Sequence, residues 1–108
     1  MDYEYITVFV TCGTSDEARH IGKMLVHENL AACANVSGSA YSIYKWDDRV
    51  MEESEVFLLL KTHKSLMGRL KQRVKEMHSY DTPCIVAWPI VAGEENYLSW
   101  VGSQIGVK

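Results

Sequence analysis

From Tyr5 to Cys12 apolar and polar side chains alternate, with Ile6, Val8, Val10 and Cys12 on one face and Thr7, Phe9 and Thr11 on the other. That period predicts a strand with one well-buried side. Thr14-Ser15-Asp16-Glu17 then supplies a helix start, because a threonine hydroxyl and a glutamate three residues on can cap each other's backbone N–H. The helix is predicted to run to about Asn29, burying Ala18, Ile21, Leu25 and Val26 and leaving Arg19, Lys23 and Glu28 in water. Two long β-type segments follow, 34–46 and 50–63, facing each other across the polar turn Asp47-Asp48-Arg49. A second amphipathic helix is predicted over Lys64 to His78, with Leu66, Leu70, Val74 and Met77 inward and Lys71, Arg73, Lys75 and Glu76 solvated. Pro83 to Val91 reads as a fourth strand, in which Pro89 cannot donate to a ladder and so belongs at an edge or a bulge. After Gly93 the pair Glu94-Glu95 opens a terminal helix through Tyr97, Leu98, Trp100, Val101 and Ile105, where negative charge suits the helix N-terminus.

The order is β-α-β-β-α-β plus a helix. It predicts one α+β domain over residues 1–108, with a ferredoxin-like antiparallel sheet carrying two helices on one face. The central hairpin is too long for that domain, since each arm of about a dozen residues reaches roughly 40 Å where a usual strand has about 5–6 residues. An overhanging arm leaves backbone groups and aromatic side chains in water unless something pairs with them, so the hairpin points to assembly with other copies.

Composition narrows the partners. A net charge of −3 provides no basic footprint for nucleic acid. No apolar run approaches the roughly 20 residues of a membrane helix, and MDYEYITV lacks the features of a signal peptide, so a cytoplasmic location without membrane contact is expected. Three cysteines, with no C-x-x-C pair, argue for reduced thiols rather than a disulfide framework or a zinc knuckle. No nucleophile elbow, phosphate-binding glycine loop or paired catalytic carboxylate stands at a diagnostic spacing, which argues against an enzyme.

His20 and His27 are too far apart on the first helix for an i, i+4 ligand pair. Cys12, ending a strand, and His78, ending a helix, are the candidate donors, because thiolate with imidazole suits copper better than magnesium or calcium; the alternative is that Cys12 and Cys84 are buried thiols and His78 a helix-end histidine. Met77 beside His78 offers a thioether, while Cys33, set among alanines, reads as a packed thiol or a further donor. No obligatory cofactor is expected. Lys61, ending an apolar strand, either snorkels to the surface or points into a polar cleft, where Glu55 in the same strand phase would join it. Tyr44, Trp46, Tyr80, Tyr97 and Trp100 are aromatics of the core, of a subunit contact or of a ligand cleft between subunits.

Several stretches together resemble the CutA divalent-cation-tolerance family over nearly the whole length: Thr11-Cys12 with Ser15-Asp16-Glu17-Ala18, Leu30-Ala31-Ala32-Cys33-Ala34-Asn35, Tyr44-Lys45-Trp46, Glu55 with Leu60-Lys61-Thr62, His78-Ser79-Tyr80 with Thr82-Pro83, and Gly93 with Tyr97-Leu98-Ser99-Trp100. The resemblance implies a ferredoxin-like subunit, a tight homotrimer with hairpin arms pairing across subunits, and an association with copper and heavy-metal tolerance. In architecture the family is similar to PII signalling trimers, so the alternative is a signalling or scaffold trimer that binds a small ligand or partner protein in the intersubunit cleft. The chain departs from the family pattern at Ser37-Gly38 (usually Pro-Gly), at Asp48 (usually Gly), at Ser79 (usually Pro) and at Cys84, where a glutamate is usual. Cys84 thereby adds a soft donor to the candidate copper ligands Cys12, His78, Met77 and Cys33.

Overall fold

Strand β1 (Tyr5–Cys12) sorts its side chains as its alternation predicts, with Val8, Val10 and Cys12 fully buried beneath two helices. A computed structural model describes residues 3–107 of the chain. After β1 come α1 (Ser15–His27), β2 (Cys33–Trp46), β3 (Arg49–His63), a 3-10 turn (Lys64–Leu66), α2 (Met67–Met77), β4 (Ile85–Pro89) and α3 (Glu95–Gln104). The sheet order is β2-β3-β1-β4 and every neighbouring pair is antiparallel. This is the expected split βαβ arrangement, with β2 and β4 as the two edges. Pro89 lies at the end of the β4 edge, paired with Ile6, where its missing N–H costs no ladder bond to a further strand.

One core joins Val8 and Val10 of β1, Leu58 and Leu60 of β3, Ala18, Ile21 and Leu25 of α1, and Leu70 and Val74 of α2. Full burial of each large aliphatic side chain contributes about 1.5–3 kcal/mol. Helix α1 crosses the sheet so closely that a Cβ on Gly22 would stand 2.9 Å from the Ala34 Cβ and 3.3 Å from Leu58 Cδ1. A second, smaller cluster packs Val101 of α3 and its C-cap Ile105 against Ala32, Tyr5 and Leu66.

Several local expectations are corrected. Helix α1 stops at His27 rather than Asn29, because Asn29 turns the chain in the left-handed region (φ 61°). Val26 is 38% exposed instead of belonging to the buried stripe. Glu28 and Arg73, both expected to be solvated, form a bidentate pair at 2.9–3.1 Å that joins the end of α1 to α2. The expected single helix from Lys64 is a 3-10 turn followed by α2, and His78 is its extended C-cap. Leu66 accordingly packs with the α3 cluster rather than the main core. The fourth strand is shorter than Pro83 to Val91, and Arg49 belongs to β3, paired with Trp46, rather than to the turn.

The hairpin arms are 14 and 15 residues long in a molecule whose greatest extent is 46 Å. Only residues 56–63 of β3 pair with β1, so 49–55 pair with β2 alone. Where the two halves meet, Ser37 and Gly38 form a bulge opposite Phe57. The Phe57 N–H, which has no ladder acceptor there, donates to Ser37 Oγ at 2.8 Å. Beyond the bulge Tyr41 (76% exposed), Ile43, Trp46 (61%) and Val50 lie open on the overhang. The tip is a two-residue turn in which both Asp47 (φ 50°) and Asp48 (φ 62°) are left-handed.

Candidate functional site

The end of β1, the start of α1 and the end of α2 meet at one corner of the sheet. There Cys12, Glu17 and His78 each present a ligand atom, all within 4.8 Å of one another. The placement follows from local structure. Cys12 is the last inward position of β1, and Glu17 sits in the first turn of α1 behind its cap, Thr14, whose hydroxyl accepts the Glu17 N–H at 3.1 Å. The Glu17 carboxylate does not return the cap to Thr14, as the sequence pattern predicts. It accepts from Gly13 N–H at 3.3 Å and from Ser79 N–H at 2.9 Å instead.

His78 is held at both ring nitrogens. Nε2–H donates to the Thr11 carbonyl at 2.8 Å and Nδ1 accepts from Tyr80 N–H at 3.1 Å, an arrangement that assigns the neutral Nε2–H tautomer. Burial, reinforced by the charges of Glu17 and Glu55, pushes the Cys12 thiol up to about 12, so it carries its proton at neutral pH. Burial also acts to raise the Glu17 carboxyl, but the hydrogen bonds from Ser79 and Gly13 outweigh it and hold the group below the usual carboxylate range.

Tyr80 lies over this corner. Its ring centroid is 4.7 Å from that of His78, and its hydroxyl donates to Glu55 Oε2 at 2.9 Å. Glu55 is only 7% exposed. Burial first, and then the Glu55 carboxylate, raise the Tyr80 phenol above its ordinary range and keep it a donor.

The other predicted site residues fall elsewhere. Met77 packs against the main core, and Cys84 is exposed in the loop before β4, outside the three-donor group. Desolvation and the Glu55 charge raise the Cys84 thiol. Cys33 is half-buried and shares a 3.4 Å hydrogen bond with the Tyr97 hydroxyl. That bond, with burial, pushes the Tyr97 phenol up to about 12. Tyr97 in turn stacks on Trp100 at 5.7 Å. Lys61 donates to Asn35 Oδ1 at 2.7 Å, about 20 Å along the strand from Glu55. Tyr44 and Trp46 are at the distal end of the hairpin. Of the residues named from the sequence, Cys12 and His78 share the donor corner with Tyr80 and Glu55 beside it, Cys33 joins Tyr97 and Trp100, Tyr44 and Trp46 lie toward the hairpin tip, and Met77, Cys84 and Lys61 belong to none of these groups.

Glu17 was not among the candidate ligands read from the sequence. A glutamate three residues after a threonine has a sufficient local role as a cap, and only the approach of Ser79, 62 residues away, reveals its second one.

The model of the CutA1 divalent ion tolerance protein family matches residues 6–104. The divalent-cation tolerance protein CutA of Thermus thermophilus is 43% identical over 99 residues, covering 92% of this chain and 96% of that protein. Human protein CutA is 38% identical over 93 residues, which are 86% of this chain; the chain spans about half of that longer relative, 52%. Among solved structures, CutA1 of the psychrotrophic bacterium Shewanella sp. SIB1, described as a stable protein, superposes with a TM-score of 0.93 at 33% identity, covering 96% and 97% of the two chains. CutA of Archaeoglobus fulgidus, described as a periplasmic divalent cation tolerance protein, superposes with a TM-score of 0.91 at 32% identity, covering 94% and 98%. With the fold, the strand register and nearly every element inside the matched span, the chain belongs to the CutA1 divalent ion tolerance family.

Proposed function

We propose that this chain acts as a homotrimer in tolerance of divalent and heavy-metal ions, taking copper weakly at Cys12, His78 and Glu17. The observation that carries the reading is the convergence of these three side chains within 4.8 Å from three separate elements. A thiol, an imidazole and a carboxylate suit a soft or borderline ion better than magnesium or calcium. The family's description as a divalent ion tolerance protein supports a role with metal ions.

The same geometry supports weak rather than permanent binding. Copper must displace the proton that Cys12 holds up to about 12, and must compete with the hydrogen bonds at both nitrogens of His78. The group therefore fits an ion taken up under excess, not a resident cofactor. Trimerisation is supported by the overhanging hairpin, whose open apolar side chains would be covered in an obligate interface of about 2,000 Å² or more. Its three unpaired thiols suit a reducing compartment, which favours the cytoplasm for this chain.

Elemental analysis after dialysis against buffered copper tests the reading. Protein purified without a metal-binding tag should be nearly copper-free, approach one copper per chain on dialysis, and lose it to a mild chelator. Its mass by light scattering should be three times 12.3 kDa. Absence of copper at saturation, or a monomer mass, contradicts the corresponding half.

A further inference from the structure

Cys12 is fully buried in the only three-donor group among the described residues, so a metal ion or a reagent reaches it only when a covering group moves aside. Four contacts converge on one covering side chain. The Tyr80 ring lies on the His78 ring at 4.7 Å. Its N–H is bonded to His78 Nδ1 at 3.1 Å. Its hydroxyl would stand 3.3 Å from a Cβ on Gly13, the residue next to Cys12, and is bonded to Glu55 Oε2 at 2.9 Å. Tyr80 thus bridges from one donor, His78, across the backbone beside another, Cys12, to an anchor on β3 that is no part of the donor group.

We infer that Tyr80 is a lid over the Cys12, Glu17 and His78 group, latched shut by its hydroxyl on Glu55, and that opening this latch controls access to Cys12. The loop that carries it supports such motion. Residues 78–84 lie between α2 and β4 with no regular secondary structure, and three hydrogen bonds hold Ser79 and Tyr80 to this corner, the Ser79 N–H to Glu17, the Tyr80 N–H to His78 Nδ1 and the phenol to Glu55. Only the last is made by the Tyr80 side chain, so releasing it frees the ring to swing from His78 while both backbone bonds stay in place. Tyr80 is on this reading a positioning residue for metal entry, not a ligand. The inference deepens the metal reading given above, but it concerns access to a thiol and can be tested without any metal.

The test uses the full chain with Cys33→Ser and Cys84→Ser, leaving Cys12 as the single thiol, and follows its alkylation by a small maleimide under native conditions. Tyr80→Phe removes the latch and keeps the ring. A hydrogen bond to a charged acceptor shifts a closed-to-open ratio roughly 10- to 100-fold, so Tyr80→Phe should be alkylated at least about 10-fold faster than its parent. Val101→Ala, a truncation in the separate α3 cluster, controls for general loosening and should label much more slowly than Tyr80→Phe at equal loss of melting temperature. Equal rates for Tyr80→Phe and the parent would overturn the lid, as would equal rates for Tyr80→Phe and the stability-matched Val101→Ala. The assay contains no metal, so its outcome is separate from whether the parent takes copper.

Discussion

Glu17 Oε2 accepts the Ser79 N–H at 2.9 Å, tying the start of α1 to the loop after α2. Because the folded state holds this carboxyl below its ordinary value of 4.5, its stabilisation is fully present above that pH and is lost as pH falls through the lower folded value. Glu28, held down chiefly by its hydrogen bonds from Arg73, acts in the same direction. The melting temperature should therefore fall as pH drops below about 4.5, and Glu17→Gln should flatten that acid limb while lowering stability at pH 7. Thermal melts from pH 7 to pH 2 check this; parallel curves for parent and variant would remove Glu17 from the account.

The hairpin tip carries two successive left-handed aspartates where glycine is the residue that turn favours. Asp48→Gly should stabilise the chain by about 1 kcal/mol by relieving a side chain at positive φ. Chemical denaturation of the two proteins at equal concentration measures it, and a destabilised variant would show that the Asp48 carboxylate makes a compensating contact.

At the crossing of α1 over the sheet, Gly22→Ala places a methyl 2.9 Å from the Ala34 Cβ, which cannot move aside without its strand. The substitution should destabilise by about 1–3 kcal/mol although alanine is the better helix former. An unchanged denaturation midpoint would mean that α1 lifts from the sheet at little cost.

Trp46 is 61% exposed, so little of its contact is within the chain. On the proposed trimer, Trp46→Ala should leave the secondary structure and the core intact and act on association, raising the concentration at which the assembly dissociates. Analytical ultracentrifugation over a dilution series reads this directly; identical dissociation curves would place Trp46 outside the subunit contact.

Much of the fold was legible because its signals are local. The alternation of Ile6, Val8, Val10 and Cys12 against Thr7 and Thr11 fixed β1, and the Thr14 cap fixed the start of α1. The hairpin's excess length was visible by count alone. Errors lie where tertiary contact decides: Arg73 and Glu28 look solvated along their own helices and become partners only when α2 packs by α1. The donor corner was half legible. Cys12 and His78 stood out by chemistry and position at element ends, but their convergence depends on α2 delivering its C-cap to the end of β1, which no spacing encodes. Glu17 joined them because the cap it resembles locally uses only its backbone N–H, freeing its carboxylate for Gly13 and Ser79.

The central claim, that Cys12, Glu17 and His78 form a weak copper site, is tested most directly by calorimetric titration of copper into the parent, Cys12→Ser and His78→Ala, each confirmed to be trimeric. The parent should bind about one equivalent, more weakly as pH falls because the thiol must give up its proton, and both variants should lose at least about 10-fold in affinity. Equal binding by all three proteins would place copper elsewhere and contradict the site.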